Sequence, residues 1–158
     1  MKKLYIIFLY AIIFVSLTII PAVARNKFKT EPPILNENSA SLQSGKGFLA
    51  ELKGDYKSAI EYFSNAIELN PQDAISYHER GLCYYYLNNY PNALKDFDKT
   101  ISLNPSDIDA FGNRSLTKMQ LGDYEGAIKD IDEILKLYPD YPKALKQKEM
   151  ILEKMKNK

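Results

Sequence analysis

The chain contains three versions of one 18-residue segment: GDYKSAIEYFSNAIELNP (residues 54–71), NNYPNALKDFDKTISLNP (residues 88–105) and GDYEGAIKDIDEILKLYP (residues 122–139). Each version begins 34 residues after the one before it. Aligned positions share a tyrosine, an alanine, a large apolar residue, a leucine and a proline. Internal repetition with a period of 20–50 residues is typical of stacked-repeat proteins, so we interpret the chain as a tandem array of one structural unit.

Apolar residues within each version recur at helical spacing, as Ala59, Ile60 and Phe63 do in the first. This period predicts an amphipathic helix and not a strand. In the second repeat we expect one helix over about 74–87 and another over about 91–103. A column of small residues, Gly47, Gly81 and Ser115, precedes the versions and predicts close packing between the two helices of each repeat.

Turn chemistry at the start of each version supports a break between the two helices. Gly54 and Gly122 suit the left-handed conformation that ends a helix, and Asn88 tolerates it in the second repeat. Asp55 and Asp123 follow the glycines, where a carboxylate can cap the next helix. Each repeat is therefore predicted to be a helix–turn–helix.

These columns resemble the tetratricopeptide repeat family, with units at 40–73, 74–107 and 108–141. The resemblance implies an all-α, right-handed superhelix. Residues 142–156 continue the pattern of a first helix and resemble the capping helix, polar on its outer side, that closes such arrays.

The resemblance also implies a concave face lined by the first helices, which presents particular columns to a partner. Those columns are Ser41, Ser44, Phe48, Glu51, Leu52, Ile75, His78, Leu82, Tyr85, Tyr86, Asp109, Gly112, Leu116, Met119 and Gln120. Some family members grip the carboxylates of a peptide's C-terminus with lysine and asparagine. Ser44 and Phe48 stand at those positions here, so that specificity is not expected.

The columns are largely apolar and aromatic, which predicts a groove for a peptide or helical segment of a partner protein. The predicted groove residues are Phe48, Ile75, His78, Leu82, Tyr85, Tyr86, Leu116 and Met119. For Phe48, Leu82 and Leu116 the alternative is packing in the core between repeats. The expected function is a protein-interaction adaptor or scaffold. The alternative is a structural component of an envelope or secretion assembly that can associate with itself through its edge repeats.

Two arginines lie inside the predicted first helices, each 16 residues before an aspartate: Arg80 before Asp96, and Arg114 before Asp130. Charged residues near a core are usually paired, so we predict ion pairs between the helices of one unit. The alternative is a row of basic side chains that binds an acidic ligand.

Composition argues against several other functions. Without residues 1–24 the chain has 19 basic and 20 acidic residues, and bulk binding to nucleic acid needs an excess of positive charge. Cys83 is the single cysteine and reads as core filler, and His78 is the single histidine. No serine or cysteine nucleophile is placed beside His78, and Glu79 is expected to point away from it. We therefore predict no enzymatic activity, cofactor or metal.

Residues 1–24 predict a secretory signal peptide. Two lysines precede an apolar run at 4–20, and the sequence AVA at 22–24 provides small residues before a cut. The alternative is an uncleaved membrane anchor, because the run reaches the lower length limit for a spanning helix, about 17 residues. We expect an exported protein, periplasmic or secreted, or else one tethered to the membrane, with residues 25–39 as a linker.

Mass spectrometry of the chain purified from its native host separates these two outcomes. A cleaved signal peptide gives Arg25 as the first residue, and an anchor gives a chain that retains residues 1–24 and fractionates with membranes. A full-length chain in the soluble fraction contradicts both.

Overall fold

The computed structural model describes residues 39–157, which form seven α-helices and no β-strand. The helices are α1 (Ala40–Leu52), α2 (Tyr56–Leu69), α3 (Ala74–Tyr86), α4 (Tyr90–Leu103), α5 (Ile108–Gln120), α6 (Tyr124–Leu137) and α7 (Pro142–Lys156). Helices α1 and α2, α3 and α4, and α5 and α6 pack as pairs, and α7 packs against α6. We call the pairs units 1, 2 and 3. The first helices of successive units also touch. The predicted all-α architecture of three units and a C-terminal helix is confirmed.

The turn inside each unit has the predicted left-handed backbone. Its φ angle is +75° at Gly54, +58° at Asn88 and +83° at Gly122. Asp55 and Asp123 then cap the second helices by accepting backbone N–H hydrogen bonds, at 3.2 Å and 2.9 Å. These caps satisfy donors that a helix leaves unpaired in its first turn.

The two helices of a unit approach closely where a glycine faces a phenylalanine. A Cβ atom built on Gly47 would lie 2.7 Å from the ring of Phe63, and one on Gly81 would lie 2.9 Å from the ring of Phe97. Both phenylalanines are fully buried. The glycines thus make room for the largest side chains of the core, as the column of small residues predicts.

Arg80 joins the second helices of units 1 and 2. Its Nε and Nη2 atoms donate to the two carboxylate oxygens of Asp96 at 2.8 Å and 2.7 Å, and its Nη1 donates to Ser64 at 3.0 Å. Asp96 lies 16 residues after the arginine and Ser64 lies 16 residues before it. Fork-like pairing of this kind satisfies a mostly buried charge.

The same contacts recur one unit later. Arg114 donates to both oxygens of Asp130 at 2.9 Å and 2.6 Å and to Asp98 at 2.7 Å. Lys148 on α7 reaches back 16 residues to Asp132 at 2.7 Å. The predicted ion pairs are confirmed, and the arginines are occupied by aspartates of the chain itself.

Helix α7 closes the array with a mixed outer surface. It buries Ala144 and Ile151 on the side facing unit 3. Leu145 and Leu152 remain 46% and 40% exposed and line a shallow depression of about 450 Å³. The expectation of a polar outer side is therefore only half right. Glu149 occupies the column that holds Gly47 in unit 1, so this position of α7 lacks the glycine that admits Phe63 and Phe97 in units 1 and 2.

Within residues 39–157, no helix is both long and apolar enough to cross a membrane. The predicted signal peptide or anchor at 1–24 and nearly all of the predicted linker at 25–39 lie outside the described residues.

Gly47 and Gly45 provide a matched test of the close approach, since both lie in α1 and only Gly47 faces a phenylalanine. Gly47→Ala should lower the free energy of unfolding by about 1–3 kcal/mol because the new methyl overpacks the core. Gly45→Ala, where no atom lies within 4 Å of the new Cβ, should raise it by about 0.5–1 kcal/mol. Urea denaturation measures both. Equal effects at the two positions would contradict the packing described here.

Candidate functional site

A small apolar pocket lies between the first helices of units 2 and 3. It has a volume of about 90 Å³ and is lined by Leu82, Tyr85 and Tyr86 from α3 and by Asn113 and Leu116 from α5. Small-molecule sites usually occupy about 300–1,000 Å³. This pocket has room for roughly three water molecules, which matches one anchoring side chain and not a cofactor. We call these five residues the inter-unit pocket.

Aromatic contacts hold the two tyrosines of the inter-unit pocket in place. The Tyr85 ring meets Tyr86 and Tyr90 edge-on, with centroids 6.1 Å and 5.5 Å apart. The Tyr86 ring stacks on Tyr56 of unit 1 at 5.0 Å and is still 53% exposed. Rings fixed in this way lose little conformational entropy when a partner covers them.

His78 lies one helical turn before the pocket and bridges two units. Its Nδ1 is 3.0 Å from the Glu79 carboxylate, and its Nε2 is 3.0 Å from the side-chain nitrogen of Asn113. Burial lowers the pKa of His78, but the hydrogen bond and charge of Glu79, together with the charges of Asp107 and Asp109, outweigh it and leave the pKa above its ordinary value. The prediction that Glu79 points away was wrong, because its side chain turns back to the imidazole.

The structure divides the other predicted groove residues. Ile75 is 61% exposed, and Phe48 is 37% exposed with its ring edge-on to Phe63 at 5.3 Å. Neither lines the inter-unit pocket. Met119 is only 6% exposed and belongs to the core cluster that includes Ile131 and Ile151. Met119 therefore cannot line an open groove, and that prediction is corrected.

Sequence analysis missed Asn113, which lines the inter-unit pocket. It lies 35 residues after His78, so the repeat period places the two side chains on neighbouring first helices. Ser44 instead faces inward: its hydroxyl lies 2.8 Å from that of Ser76, which donates to Asp73 at 2.7 Å. This buried network joins units 1 and 2 and leaves Ser44 unable to grip a partner.

Four carboxylates, Glu51, Glu79, Asp107 and Asp109, carry negative charge close to His78. Glu51 on α1 feels the charges of both Glu79 and His78, and Asp109 on α5 also acts on His78. Partial burial, then the neighbouring charge of Glu79, raises the pKa of Glu51. The first-helix face is therefore electronegative beside the inter-unit pocket.

The described residues contain no group of three or more histidine, cysteine or acidic side chains placed to bind a metal ion. Cys83 is fully buried in the core cluster with Ala50, Ala59 and Phe63, as its interpretation as core filler predicts.

The chain belongs to the tetratricopeptide repeat family. Family models described as "Tetratricopeptide repeat" match residues 40–73, 74–107 and 108–141, which are 102 of the 158 residues. A search among curated proteins gave no match.

Solved structures share this fold. The second tetratricopeptide domain of human RPAP3, in complex with the HSP70 peptide SGPTIEEVD, is 27% identical, with a TM-score of 0.68 over 71% of this chain and 93% of that one. YrrB, described as a TPR protein with an unusual peptide-binding site, is 26% identical, with a TM-score of 0.66 over 70% of this chain and 57% of that one. The first such domain of Spaghetti (RPAP3), bound to an HSP90 peptide, is 23% identical, with a TM-score of 0.71 over 76% and 95%. The likeness to that last structure shows the fold alone.

The burial of Cys83 predicts an unreactive thiol. Desolvation raises its pKa to about 12, and the charges of Glu51 and Glu79 add to the shift. Because the thiolate is the reactive form, a thiol-specific colorimetric reagent at neutral pH should leave the native chain unmodified. In urea, where the chain is unfolded, the same reagent should modify one thiol per chain. Full and rapid modification of the native chain would contradict this burial.

Proposed function

We propose that this chain is a protein-interaction module that binds a peptide or helical segment of a partner along its first-helix face. The inter-unit pocket carries the proposal. It takes side chains from two neighbouring units, so it exists only when the units are stacked. Its size suits one apolar side chain of a partner as an anchor, in the manner of the few buried anchors that dominate binding at interfaces.

The exposed aromatic surface around the pocket extends the site. Tyr86 presents a broad ring beside it, while Phe48 in unit 1 and Ile75 in unit 2 stay partly open to solvent. Large exposed apolar groups within a polar surface mark interaction sites. A partner covering this face would gain contact area from rings that are already ordered.

Similarity to solved structures supports the class of function. The human RPAP3 domain is in complex with a peptide, and YrrB is described by a peptide-binding site. Both are more than 25% identical to this chain over about seven-tenths of its length. Peptide binding on this fold is therefore precedented, and we extend it here to a groove of different chemistry.

Selection from a random peptide library displayed on phage, with the purified chain as bait, tests the proposed groove. Peptides enriched on the chain should lose at least about tenfold in affinity for a Tyr85→Ala, Leu116→Ala variant, because the variant removes the wall that the anchor contacts. Fluorescence anisotropy with a labelled synthetic peptide measures the change.

Leu137→Ala is the matched control, since Leu137 is 57% exposed on the second helix of unit 3. It should bind the selected peptide as the unmodified chain does. Urea denaturation confirms that the pocket variant is folded. Unchanged affinity in a folded pocket variant would refute the proposed groove.

A structural, self-associating component is the second candidate. The observation that favours it is the depression on α7, where Leu145 and Leu152 remain exposed at the end of the array. Analytical ultracentrifugation over a concentration series tests it, with Leu145→Glu as the disrupting variant. A chain that stays monomeric throughout contradicts this alternative.

We further propose that the module acts outside the cytoplasm or at a membrane surface and is not an enzyme. The basic start, the apolar run at 4–20 and the AVA sequence at 22–24 support the location. The occupied arginines, the buried thiol and the small pocket support a binding role without chemistry or nucleic-acid contact.

A further inference from the structure

Positive and negative side chains of the first helices lie on different sides. Helices α1, α3 and α5 carry four lysines or arginines in total, and all four contact the second helices of their own or neighbouring units. Lys46 lies over the Tyr62 ring, Arg80 binds Asp96, and Arg114 and Lys118 both bind Asp130.

Each of these three helices also carries one acidic residue. These are Glu51, Glu79 and Asp109, and their charges converge on His78 beside the inter-unit pocket. Lys143 of α7 lies 3.4 Å from Asp109, but both side chains are more than 60% exposed, and such surface pairs contribute little. Among the described residues, no lysine or arginine lies within ion-pair distance of Glu51 or Glu79. The partner of Glu79 is His78, at 3.0 Å, and the side chain of Glu79 keeps 19% of its surface open to solvent.

Resting on the proposed groove, we infer that its partner is a basic segment in which lysine or arginine side chains flank an apolar anchor. The anchor enters the inter-unit pocket, and the flanking cations meet Glu51 and Glu79. Glu79 precedes Leu82 by three residues on α3, so the two side chains emerge on one surface about one helical turn apart. The spacing suits neighbouring side chains of one peptide.

Desolvation gives this charge arrangement its force. The carboxylate of Glu51 is partly withdrawn from water and lies near the like charge of Glu79. A cation placed between them replaces repulsion with attraction in a region of low dielectric. The exposed tyrosine rings add faces over which an arginine or lysine stem can lie.

The same arrangement disfavours an acidic peptide such as the SGPTIEEVD sequence bound by the human RPAP3 domain. Glutamates and a C-terminal carboxylate would meet Glu51 and Glu79 at close range. Ser44 stands where some family members have a lysine that binds carboxylates, and Ser44 itself is buried against Ser76. Like charges brought together at an interface reject a partner more strongly than a missing contact does.

The test uses two labelled synthetic peptides with blocked ends and the same leucine and tyrosine core, flanked by lysines in one and by glutamates in the other. At low salt the lysine peptide should bind the chain about tenfold or more tightly than the glutamate peptide. Added salt should narrow the difference by screening. A Glu51→Gln, Glu79→Gln variant should abolish the preference, and Glu51→Lys with Glu79→Lys should reverse it.

Glu61→Gln with Glu68→Gln is the matched control, since it removes two exposed carboxylates from the second helix of unit 1. It should keep the preference for lysine, which excludes an effect of net charge alone. If both peptides bind equally and Tyr85→Ala weakens both to the same extent, the proposed groove stands and the inference of a basic partner is overturned. Tighter binding of the glutamate peptide, or binding of neither, would also overturn it, and the peptide library then decides separately whether a groove exists.

Discussion

The contact between a glycine of one helix and a phenylalanine of the next sets the geometry of units 1 and 2. At Gly47 and Gly81 there is no space for even a methyl group, because the rings of Phe63 and Phe97 fill it. Such an approach fixes the distance between the two helices and their rotation about their axes. The side of the first helix that faces away from the partner helix is then determined, and the proposed groove is on that side.

Electrostatic organisation follows from the same geometry. Because one side of each first helix is pressed against second helices, a long cation there can reach aspartates of two units, as Arg114 reaches Asp98 and Asp130. The lysine and arginine side chains of the first helices all contact second helices and so hold the array together. The acidic residues Glu51 and Glu79 lie away from these cations: Glu79 is paired with His78, and Glu51 lies near the charges of both Glu79 and His78. The stabilising network and the charge of the proposed binding face are thus two results of one arrangement.

The 34-residue period is sufficient to predict the architecture, because every column in it has a packing or turn role that each unit must satisfy. The 16-residue spacing between Arg80 and Asp96 likewise predicts their pairing, since it links fixed faces of two helices. The repeat pattern does not predict the burial or orientation of individual side chains. Met119 is buried in a cluster that joins Ile131 of α6 to Ile151 of α7, and the spacing of the columns does not show that contact. The turn of Glu79 toward His78 depends on side-chain rotation, which spacing does not encode.

Arg80 and Arg114 each contact one residue 16 positions before and one 16 positions after them in the sequence. This spacing affects how such arrays can change length. The hydrogen bonds of Arg80 to Asp96 and Ser64 recur 34 residues on as those of Arg114 to Asp130 and Asp98, so excising one whole unit would place Ser64 opposite Arg114. Recombination in steps of a full unit therefore preserves these contacts between units. An insertion shorter than one unit changes the spacing between the arginine and its partners and breaks them.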